Sequence, residues 1–110
     1  MKEISHKNLR IFCLEFRKGM INRMSADGKC AMISWALQGY LNYAHGLKTM
    51  VYENKYHVWL VMEDELVLDC TADQFNNKKT KYPKIYIGKP LKIHKNGNPF
   101  KSAETFFFAE

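Results

Sequence analysis

The chain has 110 residues, of which 46% are hydrophobic and 25% charged, and its formal net charge is +6. This length fits one domain with a modest core, and the composition is typical of a soluble globular protein. No apolar run approaches the ~20 residues that a membrane-spanning helix needs. The charged N-terminus MKEISHKNLR lacks the apolar stretch of a signal peptide. We therefore expect a single cytoplasmic domain over residues 1–110 that does not contact a membrane.

The cysteines, Cys13, Cys30 and Cys70, are odd in number and show no CxxC spacing. This pattern indicates free thiols in a reducing compartment, and it disfavours a disulfide framework or a structural zinc site. We expect no cofactor.

Two amphipathic helices are predicted in the N-terminal part of the chain. The apolar residues of segment 8–21 recur at helical spacing and share one side: Leu9, Phe12, Cys13, Phe16 and Met20. The turn-like stretch SADGK at 25–29 then precedes a second helix, from Lys29 to about Tyr43. This helix would carry Cys30 in its first turn and end near Gly46.

Strands are predicted from residue 49 onwards. The segments richest in β-branched and aromatic residues are 49–53, 56–62, 65–70, 84–88 and 90–95. Segment 56–62, YHVWLVM, is apolar on both faces and therefore suits a central strand. Helices followed by antiparallel strands predict the α+β class, with the N-terminal helices packed on an antiparallel sheet.

Cys30 is predicted to lie where a thiolate is best stabilised. A helix N-terminus presents N–H groups without intrahelical acceptors and a partial positive charge. The pKa of a cysteine in such a position falls further when a charged imidazole lies nearby. His57 can supply that imidazole, because it stands in an apolar strand where its nitrogens need partners. Asp69 ends the next strand in a similar way, as a polar residue after an apolar run.

The hairpin geometry relates His57 to Asp69. The two residues share a face of the sheet only if the residue numbers of paired positions add up to an even number. A loop centred on Glu63 would place them directly opposite each other, within side-chain reach. The hypothesis therefore predicts a loop of odd length or a bulge. It also places Cys70 on the opposite face, in the core.

These residues fill the roles of a thiol acyl-transfer site: Cys30 as nucleophile, His57 as base and Asp69 as the group that orients the imidazole. Each residue also has an ordinary structural interpretation. Free cysteine is commonly buried, a strand histidine is commonly a satisfied core residue, and an aspartate after a strand commonly belongs to a turn. Their occurrence together, in this order, favours the catalytic interpretation.

The sequence resembles a known superfamily in an ordered set of motifs. Gly28-Lys29-Cys30 leads into ISWALQGYL, and HVWLV at 57–61 and VLDCTADQF at 67–75 follow. This set resembles small transglutaminase-like members of the papain-like cysteine superfamily, in particular small bacterial and phage-type proteins. The resemblance extends over residues 28–88.

The resemblance implies a cysteine-bearing helix packed against an antiparallel sheet that delivers His57 and Asp69. It implies amide hydrolysis, glutamine deamidation or transamidation of a protein or peptide through a Cys30 thioester. The glutamine that papain-type enzymes carry before the nucleophile is absent here. The remaining candidates for the second oxyanion donor, besides the Cys30 backbone N–H, are Asn22, Trp59 and Gln74. Asp73 and Gln74 also suit capping of the turn after the strand.

Two alternative interpretations stay open at this stage. Basic residues interleaved with tyrosines suit phosphate contact and base stacking, so segment 76–86 is also compatible with nucleic-acid binding: Lys78, Lys79, Lys81 and Lys84. A solvated lysine-rich loop explains the same pattern. The chain is also compatible with an inactive scaffold of the same fold that binds nucleic acid or protein.

A metal centre is the least supported interpretation. A site on Cys30, His57 and Asp69 would need His45 or His94 as a fourth ligand, and no spacing supports that choice. We therefore expect no metal.

Overall fold

The computed structural model describes residues 4–21 and 28–100. Two helices come first along the chain, followed by an antiparallel sheet with two short 3-10 turns. The helices are α1 (His6–Ile21) and α2 (Cys30–His45). The strands are β1 (Thr49–Glu53), β2 (Val58–Met62), β3 (Val67–Asp69), β4 (Tyr86–Gly88) and β5 (Asn98–Pro99). The predicted α+β class is confirmed.

Helix α2 begins and ends where the sequence predicts. Cys30 is its first residue, and Gly46 adopts the left-handed conformation at its C-terminus, with φ +62°. The N–H groups of Gly46 and Leu47 donate to the carbonyls of Asn42 and Leu41 at 2.9 and 3.2 Å. A glycine accepts positive φ without steric cost, so this arrangement stops the helix and satisfies its last carbonyls.

The helices cover one face of the sheet. Ile33, Leu37 and Leu41 of α2 are buried in one hydrophobic core with the even-numbered residues of β2, Val58 and Leu60 among them. Side chains alternate along a strand, so the odd-numbered residues of β2 lie on the other face. Trp59, 2% exposed, is the largest side chain buried there.

The strand order is β4-β3-β2-β1-β5, so β2 is the central strand, as predicted. All neighbouring strands pair antiparallel. Leu60 pairs with Leu68 and Val61 with Val67, so the β2–β3 loop has the predicted odd length. The loop is centred on Asp64 and not on Glu63. The register therefore sets His57 and Asp69 on the same face in diagonal positions, not directly opposite.

Segment 90–95 is not a strand. It contains a 3-10 turn at Lys92–His94, with the Leu91 N–H bonded to the His94 ring at 3.0 Å. Pro90 has no N–H to donate to a strand partner, and His94 turns inward toward a buried carboxylate instead. The fifth strand comes later, at Asn98–Pro99, and pairs with β1 at the opposite edge. The apolar tail at 106–108 lies outside the described residues.

In the part of the chain that the structure describes, no helix combines the length and the apolar character needed to cross a membrane.

Candidate active site

Cys30 lies at the N-terminus of α2, close to the end of the central strand. Helical hydrogen bonding begins with the Ile33 N–H and the Lys29 carbonyl at 3.0 Å, so the N–H of Cys30 has no acceptor within the helix. One turn further on, the Ser34 hydroxyl donates to the Val58 carbonyl at 3.4 Å. This contact ties the start of α2 to the start of β2, where His57 is located.

The residues predicted for catalysis are brought together. His57 precedes β2 and is 2% exposed, and its Nε2 lies 2.6 Å from Asp69 Oδ2. Nε2 of His57 is thus occupied by Asp69, and a hydrogen bond and the charge of His57 act on the Cys30 thiol. The result is a connected series from thiol to imidazole to carboxylate.

The environment favours the charged forms of all these groups. Burial opposes the Cys30 thiolate, but the hydrogen bond and charge of His57 outweigh it and lower the pKa of Cys30. Burial likewise opposes the imidazolium, but hydrogen bonds to Asp69 and Cys30 raise the pKa of His57 to about 9. For Asp69, hydrogen bonds from His57 and His94 overcome burial and lower the pKa to about 2. Both shifts favour the charged pair of Cys30 thiolate and His57 imidazolium over the neutral pair.

Gln74 adds an amide group to this site. Its Oε1 accepts a hydrogen bond from the Gly28 N–H at 3.3 Å, and its Nε2 lies 3.1 Å from His57 Nδ1. Gln74 also contributes a hydrogen bond that lowers the pKa of Cys30. The amide N–H of Gln74 thus reaches the place where charge resides on the thiolate.

A partly buried ion pair holds the segment that carries Gln74. The two terminal guanidinium nitrogens of Arg17 contact the Asp73 carboxylate, at 2.6 and 2.7 Å. Arg17 also donates to the Cys70 and Lys84 carbonyls at 3.0 and 3.1 Å. Asp73 therefore anchors the segment to α1, and the 3-10 turn at Ala72–Phe75 has no side-chain cap. The capping role considered for Asp73 and Gln74 is wrong.

The other oxyanion candidates differ from Gln74. Trp59 is buried and packs against the rings of His57 and His94, with centroids 5.5 and 4.9 Å apart. It forms a wall beside the imidazoles, whereas Gln74 contacts Cys30 itself. Asn22 lies outside the described residues.

Within residues 4–21 and 28–100, one cluster has ligand atoms close enough together to suggest a metal site: His57, Asp69 and His94, within 4.8 Å of one another. Both imidazoles contact the same oxygen, Asp69 Oδ2, at 2.6 and 2.7 Å. Two ligands of one tetrahedral zinc ion stand about 3.3 Å apart, given metal–ligand distances of about 2.0 Å. The contacts are too short for that arrangement and match hydrogen bonds. The cluster as it stands therefore does not fit a metal ion.

The basic residues of the alternative interpretation lie on the surface. Lys78, Lys79, Lys81 and Lys84 are all exposed in the connection between Gln74 and β4.

Sequence reasoning missed Arg17 as a site residue and considered His94 only as a possible metal ligand. Arg17 occupies the buried side of α1, 7% exposed, among apolar residues. A charged residue on an apolar helix stripe signals a buried partner, but the sequence does not identify Asp73 as that partner. His94 carried a similar signal as a polar residue in an apolar segment, which was interpreted as a strand.

Comparisons with protein-family models, with curated proteins and with solved structures found no match to this chain.

Proposed function

We propose that this protein catalyses thiol-dependent acyl transfer on an amide of a protein or peptide, through a thioester on Cys30. The observation that carries the proposal is the buried 2.6 Å hydrogen bond between His57 and Asp69 beside Cys30, whose pKa is lowered by the hydrogen bond and charge of His57. The order of these residues, with the cysteine on a helix and the others on the sheet, supports a papain-like or transglutaminase-like core.

The chemistry follows from the positions of the groups. The Cys30 thiolate attacks the amide carbonyl carbon, forming a C–S bond and a tetrahedral oxyanion. Protonation of His57 at Nδ1 requires the Gln74 amide to leave that nitrogen, and His57 then gives this proton to the departing nitrogen as the C–N bond breaks. Water or a second amine then attacks the thioester, with neutral His57 accepting its proton, and Cys30 is released as thiolate.

Two donors are available for the oxyanion. The backbone N–H of Cys30 has no acceptor within α2. Nε2 of Gln74 lies 3.3 Å from Thr71 Oγ1 and 3.1 Å from His57 Nδ1, so one of its N–H groups has to change partner to reach the oxyanion. Donors that are fixed before the reaction stabilise developing charge without reorganising, which favours the Cys30 N–H. The hydrogen bond from Gly28 to Gln74 Oε1 turns the amide so that its N–H groups face the site.

The test is a screen for changes that only an acyl transfer produces. Peptides and intact proteins rich in glutamine are incubated with the protein, with and without a primary amine, and followed by mass spectrometry. Deamidation, amine incorporation and chain cleavage each give a distinct mass change, and a thioester appears as an adduct on the Cys30 peptide. If Cys30 reacts only as an ordinary thiol and no adduct forms, the proposal is wrong, and a binding role for the exposed lysines becomes the next hypothesis.

Gln74 provides a sharper test of the mechanism. Gln74→Ala should lower kcat by about 10²–10³ because one oxyanion donor is lost. The rate of Cys30 alkylation, which forms no oxyanion, should change far less. Equal losses in both measurements would show that Gln74 acts on the thiolate alone.

A further inference from the structure

Asp69 has a second imidazole partner in addition to His57. Nε2 of His94 lies 2.7 Å from Oδ2, the oxygen that His57 Nε2 contacts at 2.6 Å. The side chains of His94 and Asp69 are completely buried. Buried polar atoms need compatible partners, so each of these short contacts must contain one proton that is donated to the carboxylate.

The backbone determines which tautomer His94 adopts. The Leu91 N–H donates to His94 Nδ1 at 3.0 Å, so Nδ1 presents a lone pair and carries no proton. The proton of the neutral ring then resides on Nε2 and is donated to Asp69 Oδ2. Nδ1 of His94 faces a backbone N–H, whereas Nδ1 of His57 faces a side-chain amide, Gln74 Nε2 at 3.1 Å, which has to move before His57 takes up a second proton.

The segment around His94 is built to hold this ring in place. The Asn54 amide donates to the carbonyls of Ile93 and Lys95, both at 3.0 Å. Gly97 lies directly against Trp59, where a Cβ atom would come within 2.4 Å of the indole ring. Any larger residue at position 97 would push the segment outward and withdraw His94 from Asp69.

The titratable groups around His94 come from several elements. Asp69 of β3 and His57 before β2 face it directly, and the Tyr86 ring of β4 stacks on it with centroids 6.0 Å apart. Glu65 of the β2–β3 loop lines a small cavity beside the His94 ring.

We propose that His94 is a positioning residue. Its Nε2–H fixes the Asp69 carboxylate and partly neutralises the negative charge that would otherwise act on His57. This inference rests on the proposed function. A hydrogen bond to a carboxylate lowers its affinity for protons. The shared oxygen therefore attracts the His57 proton less strongly than an oxygen whose only partner is His57. A general acid works best when its pKa lies near the working pH, so His94 keeps His57 able to release its proton to the leaving group.

The test compares two substitutions at position 94. His94→Gln retains an N–H donor at a similar reach, and His94→Phe retains a ring of similar size without the donor. The protonation midpoint of His57 is measured by NMR on protein labelled with ¹⁵N-histidine. We expect His94→Phe to raise this midpoint by about one pH unit, a tenfold gain in proton affinity, and His94→Gln to leave it within about 0.3 unit of the wild type.

The shift in His94→Phe separates the proposal from a purely structural role. If His94 only filled space, His94→Phe would preserve the packing and leave the midpoint unchanged. A midpoint that falls or stays unchanged in His94→Phe therefore overturns the proposal, as does an equal rise in both variants.

A measurement on the unmodified protein does not depend on whether the variants fold. Long-range ¹H–¹⁵N spectra at about pH 7 should show His94 with its proton on Nε2 alone. A proton on Nδ1 would overturn the proposal. Neither readout requires catalysis, so a failed search for acyl transfer and a failed prediction for His94 are distinguishable.

Discussion

Cys30 and Cys70 are both influenced by Asp69, but their environments have opposite effects on the thiol. At Cys30 the carboxylate acts through His57, whose positive charge helps to stabilise the thiolate. At Cys70 a hydrogen bond with Cys13, together with complete burial and the direct charge of Asp69, raises the pKa far above its ordinary value. The same carboxylate therefore helps to activate one thiol through His57, and at the other it adds to the larger effects of Cys13 and burial that keep the thiol protonated.

The comparison shows how strand alternation separates two environments. Asp69 and Cys70 are neighbours in sequence, so their side chains point to opposite faces at the end of β3. One face carries His57, Trp59 and His94, and the other belongs to the core shared with the helices. A polar network and an apolar core can thus lie one residue apart.

The largest effect is expected from replacing Cys30, the reactive thiol of the two. Cys30→Ala should abolish the proposed amide chemistry, with a loss on the order of 10⁴-fold or more, because the nucleophile is gone. Rates are measured by mass spectrometry on whichever amide substrate the screen identifies. Cys70→Ala is the matched control and should keep its rate under conditions where it is folded. Equal losses in both variants would contradict the assignment of Cys30.

The second prediction concerns His57, through which Asp69 acts on Cys30. His57→Gln should slow alkylation of Cys30 at about pH 6 on the order of 100-fold, because the thiol pKa returns to its ordinary range. Rates are measured by mass spectrometry over a range of pH, and the difference should vanish where both thiols are ionised. His45→Gln, at the other end of α2, is the control and should leave the profile unchanged. A similar slowing in that variant would indicate a general loss of structure.

The third prediction concerns the dependence of stability on pH. The pKa of Asp69 is lowered from 3.8 to about 2, so its contribution to the free energy of unfolding is present above the ordinary value and lost as the pH falls through about 2. The pKa of His57 is raised from 6.5 to about 9, so its contribution is present below the ordinary value and lost as the pH rises through about 9. Urea unfolding at a series of pH values should show both losses.

Asp69→Asn is the variant that tests this dependence. In this variant the loss of unfolding free energy at acid pH should become smaller, because no carboxylate is left at position 69 to protonate. The loss at alkaline pH should also become smaller, because the His57 imidazolium has lost its partner. If the unfolding free energy of the variant depended on pH as that of the wild type does, groups other than Asp69 and His57 would govern this dependence.

The smallest effect is expected from replacing Cys70, the unreactive thiol, or its partner Cys13. Cys70→Ala and Cys13→Ala should each lower the free energy of unfolding by about 1–2 kcal/mol, because a small buried group and its contacts are lost. The double variant should lose less than the sum, since the two thiols contact each other. Urea unfolding at neutral pH measures all three variants. Strict additivity would show that the contact between the thiols contributes nothing.

Local patterns were sufficient to predict most of the secondary structure. Helical periodicity predicted both helices, and apolar runs predicted the strands β1 to β4, with ends within about two residues. The catalytic hypothesis required a loop of odd length to put His57 and Asp69 on one face, and the register of β2 with β3 meets that requirement. The prediction of a strand at 90–95 was wrong because the conformation of this segment depends on the contact of His94 with Asp69, which is 25 residues away in sequence.

The sequence by itself determined the elements and the chemical groups: a cysteine at a helix start, and a histidine and an aspartate that interrupt apolar strands. Periodicity and polarity are local properties, so they can be interpreted without knowing the neighbours in space. Only the tertiary structure decided that Asp69 has two imidazole partners, that Gln74 lies beside Cys30, and that Arg17 anchors its segment. These contacts join residues far apart in the chain, and their formation depends on packing and hydrogen-bond satisfaction in a buried space that no local pattern encodes.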